Sequence, residues 1–221
     1  MNMPHFVETA KKQNIYIIKI DLDKNLQDQE PFDLIIHKSI DLFVQSNYFH
    51  NEKSKYILQN FQNYINSHPN IPISNPLSFD ELVTSRHRIF DELNKLEFNN
   101  DCYVPSLSII TEKYIVKPDL ACGAKIAHQF EITDRKNALM LNKNDKTKII
   151  QPFFETGNAV LKIYSIGKYT KVNIKNPESI ELEFAMESIE RISNVLRNAF
   201  NCDLFGFDLI KDIKSGLWYI I

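Results

Sequence analysis

The chain has 221 residues, 43% of them hydrophobic, with 26 lysines and arginines set against 28 aspartates and glutamates. That is enough apolar material for the core of one domain or two small ones, and too much for a disordered chain. A formal net charge of −2 excludes a global basic field for nucleic acid or an anionic membrane, so any anion site must be local.

In chain order, residues 4–13 read as a short helix stopped by Asn14, and residues 15–22 as a β-branched strand. Residues 33–37 form a second apolar strand that ends in His37-Lys38, at the carboxyl edge where parallel sheets place their ligands. Ile57, Phe61, Tyr64 and Ile65 stand at helical spacing within 53–67, and His68-Pro69 ends that helix. After a proline-bearing loop at 70–77, residues 78–96 read as one helix with Ser78 as N-cap and Glu81 behind it. Arg86 on that helix is either an anion contact or part of a solvated face. Residues 99–110 contain a turn and an extended segment, and residues 114–118 a strand ending in Lys117-Pro118. That strand runs into a loop where Gly123 permits close approach to a ligand, and residues 129–132 continue as strand after His128. Ile149-Ile150-Gln151-Pro152-Phe153-Phe154 is a strand broken by proline, hence an edge or a hinge. Following a polar turn at 155–158, residues 160–166 place Val160, Lys162, Tyr164 and Ile166 on one face. The clearest helix is 183–200, with a stripe of Met186, Ile189, Ile192, Val195, Leu196 and Ala199. A strand over 203–213 holds Asp208, and residues 217–221 begin an antiparallel return.

Cys102, Cys122 and Cys202 are odd in number and make no CxxC pair, which excludes a disulfide framework and a zinc ribbon. No apolar run approaches the roughly 20 residues of a membrane span, and Lys11, Lys12 and Lys19 interrupt any signal-peptide pattern. The expectation is a cytoplasmic monomer with no membrane or nucleic-acid partner. Glycines at 123, 157, 167, 206 and 216 match neither GxGxxG nor GxxxxGK[ST], so a nucleotide would be held by something other than a Rossmann or P-loop turn. Ionised side chains are almost never buried alone. Strands carrying Lys117, Lys162 and Asp208 therefore point to a polyanion and a metal as partners, with an internal Lys162–Asp208 ion pair as the competing explanation.

Several segments occur in the order and spacing of one family: Phe32-Asp33-Leu34-Ile35-Ile36-His37-Lys38; Ile115-Val116-Lys117-Pro118 with the loop to His128; Gln151-Pro152-Phe153-Phe154; Asn158-Ala159-Val160-Leu161-Lys162; and Leu204-Phe205-Gly206-Phe207-Asp208. The chain resembles the inositol trisphosphate 5/6-kinases, or inositol-tetrakisphosphate 1-kinases, of the α/β ATP-grasp fold. The resemblance implies an N-terminal inositol-phosphate-side α/β subdomain over 1–77 and an ATP-grasp region over 78–221 whose C-terminal part is incomplete. It also implies transfer of the γ-phosphoryl of Mg²⁺-bound ATP to an inositol polyphosphate. By position, Arg86, Lys117, Gln151, Pro152, Phe153, Phe154 and Lys162 would bind ATP; Lys38, Gly123, His128 and Lys162 would bind the inositol phosphate. Asp208 would ligate magnesium and, with Lys162, act in catalysis.

The chain departs from the family in four places. No counterpart of the family's first strand precedes Pro4. Cys122 stands where relatives carry His, Asp or Gln. The 175–181 region is shorter, with Lys175 in place of an arginine. Residues 217–221 align with the strand leading into an Asp-x-Asn metal motif, which leaves Asp208 alone of three metal ligands. The alternative reading is therefore a truncated, catalytically impaired member that acts at most as an inositol phosphate or nucleotide binding module. A third is a carboxylate-amine ligase sharing Lys117 and Asp208.

Overall fold

A computed structural model describes residues 3–157, 160–175 and 186–221. The N-terminal third is helical: α1 (Met3–Lys11), α2 (Ile40–Asn47) and α3 (Glu52–Ser67), with Asn51 capping α3 by accepting from the Ser54 N–H at 3.0 Å. Leu26, Ile35, Phe61, Tyr64 and Leu77 form the core of this region.

Two of its predicted strands are corrected. Residues 15–22 have no regular structure; Ile15, Tyr16 and Ile18 are exposed. A strand needs a neighbour, and here the Gln29 side chain takes that place, accepting from the Asp21 N–H and donating to the Asp21 carbonyl, both at 2.9 Å. Residues 33–37 contribute one parallel bridge, Ile35 to Ile73, with Leu34 and Ile36 exposed on either side.

The predicted helix over 78–96 is two helices, α4 (Leu77–Leu82) and α5 (Arg86–Leu93). Between them the backbone pairs with the loop after β1. Arg86 N–H donates to Asp119 O at 2.8 Å, and Ala121 N–H to Thr84 O at 2.8 Å. Ser85 then caps α5 by accepting from the Arg88 N–H at 3.2 Å. Residue 78 is thus no cap; Pro76 precedes α4.

Two antiparallel sheets follow. The first has the order β2-β1-β3, from β1 (Lys113–Pro118), β2 (Glu131–Asp134) and β3 (Lys148–Pro152), with α6 (Arg135–Asn144) packed on one face through Ala138. The second has the order β5-β4-β6-β7, from β4 (Val160–Ile166), β5 (Tyr169–Lys175), β6 (Leu204–Lys211) and β7 (Trp218–Ile220). The main core lies between the second sheet and α7 (Met186–Phe200): Leu161, Ile163 and Leu209 meet Ile189, Ile192 and Leu196, and Phe90, Leu93 and Ile149 join them. The proline-broken strand is the edge strand of its sheet, as expected. Helices α2 and α6 and strand β5 were not foreseen. Asn158, Ala159, residues 176–181 and the helical start at 183–185 lie outside the described residues.

Candidate active site

Strand register assigns each candidate side chain to a face. Opposite partners in an antiparallel pair point the same way, so Lys117 with Ile149 and Ile115 with Gln151 share one face of the first sheet. Tyr114, Val116 and Ile150 occupy the other, under α6. On the second sheet, Lys162 lies directly opposite Asp208. Their face also carries Ile210 and Tyr219, the face away from α7.

Lys117 forms no ion pair among the described residues. Its ammonium faces the Phe130 ring, 5.9 Å from the centroid, and the Arg86 guanidinium carbon is 5.5 Å from the same centroid. Burial, and secondarily Arg86, push the lysine down to about pKa 8. Asp119 acts on Arg86 but forms no salt bridge with either cation, and the two held together make a local positive field, although the chain as a whole is slightly acidic.

Arg86 is more firmly engaged than a free phosphate ligand. Nη1 donates to the carbonyls of Pro118 and Leu120, each at 2.6 Å, and Nη2 to Ala127 O at 3.0 Å. The guanidinium fork thus ties down the loop from β1 to the 3₁₀ turn Lys125–His128. Gly123 in this loop has φ +76, and a Cβ there would stand 2.9 Å from a Val44 methyl, so α2 and the loop pack as backbone against side chain. His128 is exposed at the end of the turn. Lys38, also exposed, precedes α2, and its charge acts on the neighbouring Cys122 thiol, whose pKa is raised chiefly by burial. The sites expected at Lys38, Gly123, His128, Arg86 and Lys117 therefore share one neighbourhood.

Lys162 and Asp208 form the other centre, with Nζ to Oδ2 at 3.0 Å; hydrogen bonding to Asp208 raises the lysine's pKa. The competing ion pair named from sequence is present. Lys171 opposes Tyr164 and Lys175 opposes Val160, so both extend the same face. Sequence reading missed Lys171 because β5 has a polar alternation with few apolar residues to announce it.

Residues 151–154 connect the two centres. Gln151 is 2% exposed, and neither its Nε2 nor its Oε1 has a hydrogen-bond partner among the described residues. Three residues on, Phe154 stacks on Tyr219 with centroids 3.9 Å apart and packs on Ile210, beside the Asp208 position. Pro152 is buried and Phe153 exposed; the Phe153 N–H is spent on Lys113 O at 3.0 Å. The segment presents an unpaired amide at one end and an aromatic stack at the other, between two sheets.

Among the described residues no three His, Cys, Asp or Glu side chains gather in a way that could hold a metal ion. Asp208 supplies one carboxylate. That suits a magnesium ion whose remaining ligands are phosphate oxygens and water, but not a site built wholly from protein.

Two antiparallel sheets joined through the 151–154 segment make up a fold of the ATP-grasp type. The fold agrees with solved ATP-grasp structures. A RiPP-associated ATP-grasp ligase from Chryseobacterium gregarium, in complex with ADP and a leader and core peptide, aligns with a TM-score of 0.65 at 11% identity, over 99% of this chain and 84% of that one. D-alanine–D-alanine ligase from Bacillus anthracis aligns at 0.53 and 11%, over 95% and 75%. An N5-carboxyaminoimidazole ribonucleotide synthetase aligns at 0.56 and 14%, over 94% of this chain and only 58% of its own length. Residues 1–79 match the inositol 1,3,4-trisphosphate 5/6-kinase pre-ATP-grasp domain. Similarity extends over the whole chain to inositol-tetrakisphosphate 1-kinases of Xenopus laevis, 27% identical, and Danio rerio, 26% identical, covering 69% of each relative. The likeness is to kinases of the inositol 1,3,4-trisphosphate 5/6-kinase and inositol-tetrakisphosphate 1-kinase family.

Proposed function

We propose that the chain is an ATP-dependent inositol phosphate kinase, transferring the γ-phosphoryl group of ATP to a hydroxyl of an inositol tris- or tetrakisphosphate. The observation that carries this reading is the pair of cations Lys117 and Arg86, neither of them salt-bridged among the described residues, with Lys117 on the sheet face that also carries the unpaired amide of Gln151. A polyphosphate would supply the missing charge and a purine the missing hydrogen bonds. The family and the ATP-grasp fold support it.

In this reading residues 1–77 form the inositol-phosphate side and residues 78–221 the ATP-grasp region. Lys117, with Arg86 beside it, holds the nucleotide phosphates, and residues 151–154 hold the adenine. Lys38, His128 and the backbone at Gly123 hold the acceptor's phosphates. Lys162 takes charge from the transferring group, and its neighbours Lys171 and Lys175 add to the same field. Phosphoryl transfer asks mainly for in-line positioning and cationic stabilisation, which lysines supply without covalent chemistry. Asp208 would be the side chain that holds magnesium, which would supply neutralisation of the charge developing on the phosphoryl group. The partners are then ATP and an inositol polyphosphate, with the chain acting as a cytoplasmic monomer.

The test is turnover of inositol 1,3,4-trisphosphate with labelled ATP and magnesium by the purified protein, alongside Lys162→Ala. ATP-dependent product formed by the wild type and reduced about 100-fold or more in the variant is the expected result. One observation favours a second reading: Asp208 is already paired with Lys162, and no three-ligand metal cluster is present among the described residues. Calorimetric binding of the inositol phosphate without any turnover would identify a binding module.

A further inference from the structure

His37 lies between acceptors. Its Nε2 is 2.7 Å from the carbonyl oxygen of Asn75, which can only accept, so Nε2 carries a proton. Its Nδ1 is 3.3 Å from Oδ2 of Asp80 and 3.2 Å from Oγ of Ser39. The Asp80 carboxylate is buried, accepts from the Ser39 N–H, and has no lysine or arginine partner among the described residues. A buried carboxylate needs a cation. Protonation of Nδ1 as well as Nε2 provides it and makes the ring an imidazolium.

Other surroundings are consistent with that state. From α3 the Phe61 ring meets the imidazole edge-on, at 5.5 Å and 86°, and adds no charge. Lys38 is the adjacent residue of the same segment, and Asp80, from α4, is the charged group acting on the ring. Burial alone would lower the pKa of His37; the hydrogen bonds to Asp80 and Asn75 outweigh it, and the net shift is upward.

The ring therefore joins three segments. It holds the 37–39 backbone, which bears Lys38 and leads into α2, against α4 and against the loop at Asn75. The Asn75 side chain in turn donates to Leu204 O at 2.6 Å and accepts from the N–H groups of Asp203 and Leu204, at 3.1 and 2.9 Å. Leu204 begins β6, the strand of Asp208. We propose that His37, as an imidazolium paired with Asp80, is the positioning residue that fixes Lys38 in the anion site and locks that site to the start of β6. The role of Lys38 rests on the kinase reading; the charged ring and the lock do not.

The test uses the full chain with ¹⁵N-labelled histidine. Two protonated ring nitrogens at pH 7, with the His37 titration point falling in Asp80→Asn, is the expected result; a single protonated nitrogen overturns the proposal. Calorimetry with inositol 1,3,4-trisphosphate then compares wild type with His37→Gln, which keeps a donor for Asn75 and loses the charge. Wild-type affinity should fall about tenfold as pH rises through the His37 titration, while the variant is weak and flat. Equal affinities and equal pH profiles overturn it. Should the wild type bind no inositol phosphate, the kinase reading falls. Amide exchange at Ser39 and Leu204 then decides: faster exchange in His37→Gln supports the lock, and unchanged exchange overturns it.

Discussion

A lysine kept among apolar groups costs stability until an anion compensates it. For Lys117 the cost shows as a pKa pushed from 10.5 down to about 8, by burial first and Arg86 second. The unfolded chain keeps this proton to its ordinary pKa, whereas the folded chain releases it from about 8 upward. The penalty is therefore full below about 8 and is relieved as pH rises toward 10.5. Lys117→Met should raise thermal stability by roughly 1–2 kcal/mol while weakening ATP binding about tenfold or more. A thermal melt and a titration read the two, and a variant that melts below the wild type would contradict the account. Polyphosphate binding should reverse the shift. At pH 9, ATP binding is expected to take up protons, seen as a heat that changes with the buffer's ionisation enthalpy; a buffer-independent heat counts against Lys117 as the ligand. At Gly123 a methyl group meets both the positive φ and Val44. Gly123→Ala is expected to cost about 1–3 kcal/mol in denaturant unfolding.

At the scale of elements, the break between α4 and α5 matters most. It exists because residues 84–86 pair with the 119–121 backbone instead of continuing a helix, and it places the Arg86 fork under the loop. Arg86→Lys keeps the charge but cannot reproduce the forked geometry, so a loss of about 1–3 kcal/mol in urea is expected, with faster amide exchange across 120–128. An unchanged exchange pattern would mean the loop stands without the fork. Nothing in the local sequence announced this break: 78–96 carries an unbroken helical pattern, and the competing partner lies more than 30 residues away. The same limit explains residues 15–22, whose β-branched residues satisfy strand propensity while no neighbouring strand pairs with them. Strand β5 failed in the other direction, since an edge strand with a polar face lacks the apolar run that signals burial. Where a segment buries an apolar stripe, as α3 does with Ile57, Phe61 and Tyr64 and α7 with Ile189, Ile192 and Leu196, sequence and structure agree, although Met186 and Ala199 of the expected α7 stripe are exposed. In the candidate site, Lys117 was legible as a charge in an apolar strand, and so was the Lys162–Asp208 pair. The pairing of His37 with Asp80 was not, because a contact 43 residues apart leaves no local spacing.

At the scale of the whole molecule, Asn75 is one of the polar joints between its parts. Asn75 makes three hydrogen bonds from the N-terminal region to the start of β6. Asn75→Ala should cost about 1–3 kcal/mol and, if the two regions lean on each other, separate one unfolding transition into two by calorimetry. The second joint is the Phe154–Tyr219 stack that fixes the 151–154 segment to the last strand. Beside it, Lys162 and Asp208 are each about one-third exposed, so Asp208→Asn should change stability by less than about 1 kcal/mol. The same variant should abolish any magnesium enhancement of ATP affinity, and an enhancement that survives would remove Asp208 from the metal site. Before a ligand arrives, these two side chains satisfy each other. A phosphate that recruits the lysine frees the carboxylate for a dication, and a dication that recruits the carboxylate frees the lysine. Linkage makes that help equal in both directions. On the proposed kinase reading, the salt bridge would then work as an AND gate, answering weakly to phosphate or metal alone and strongly to the two together.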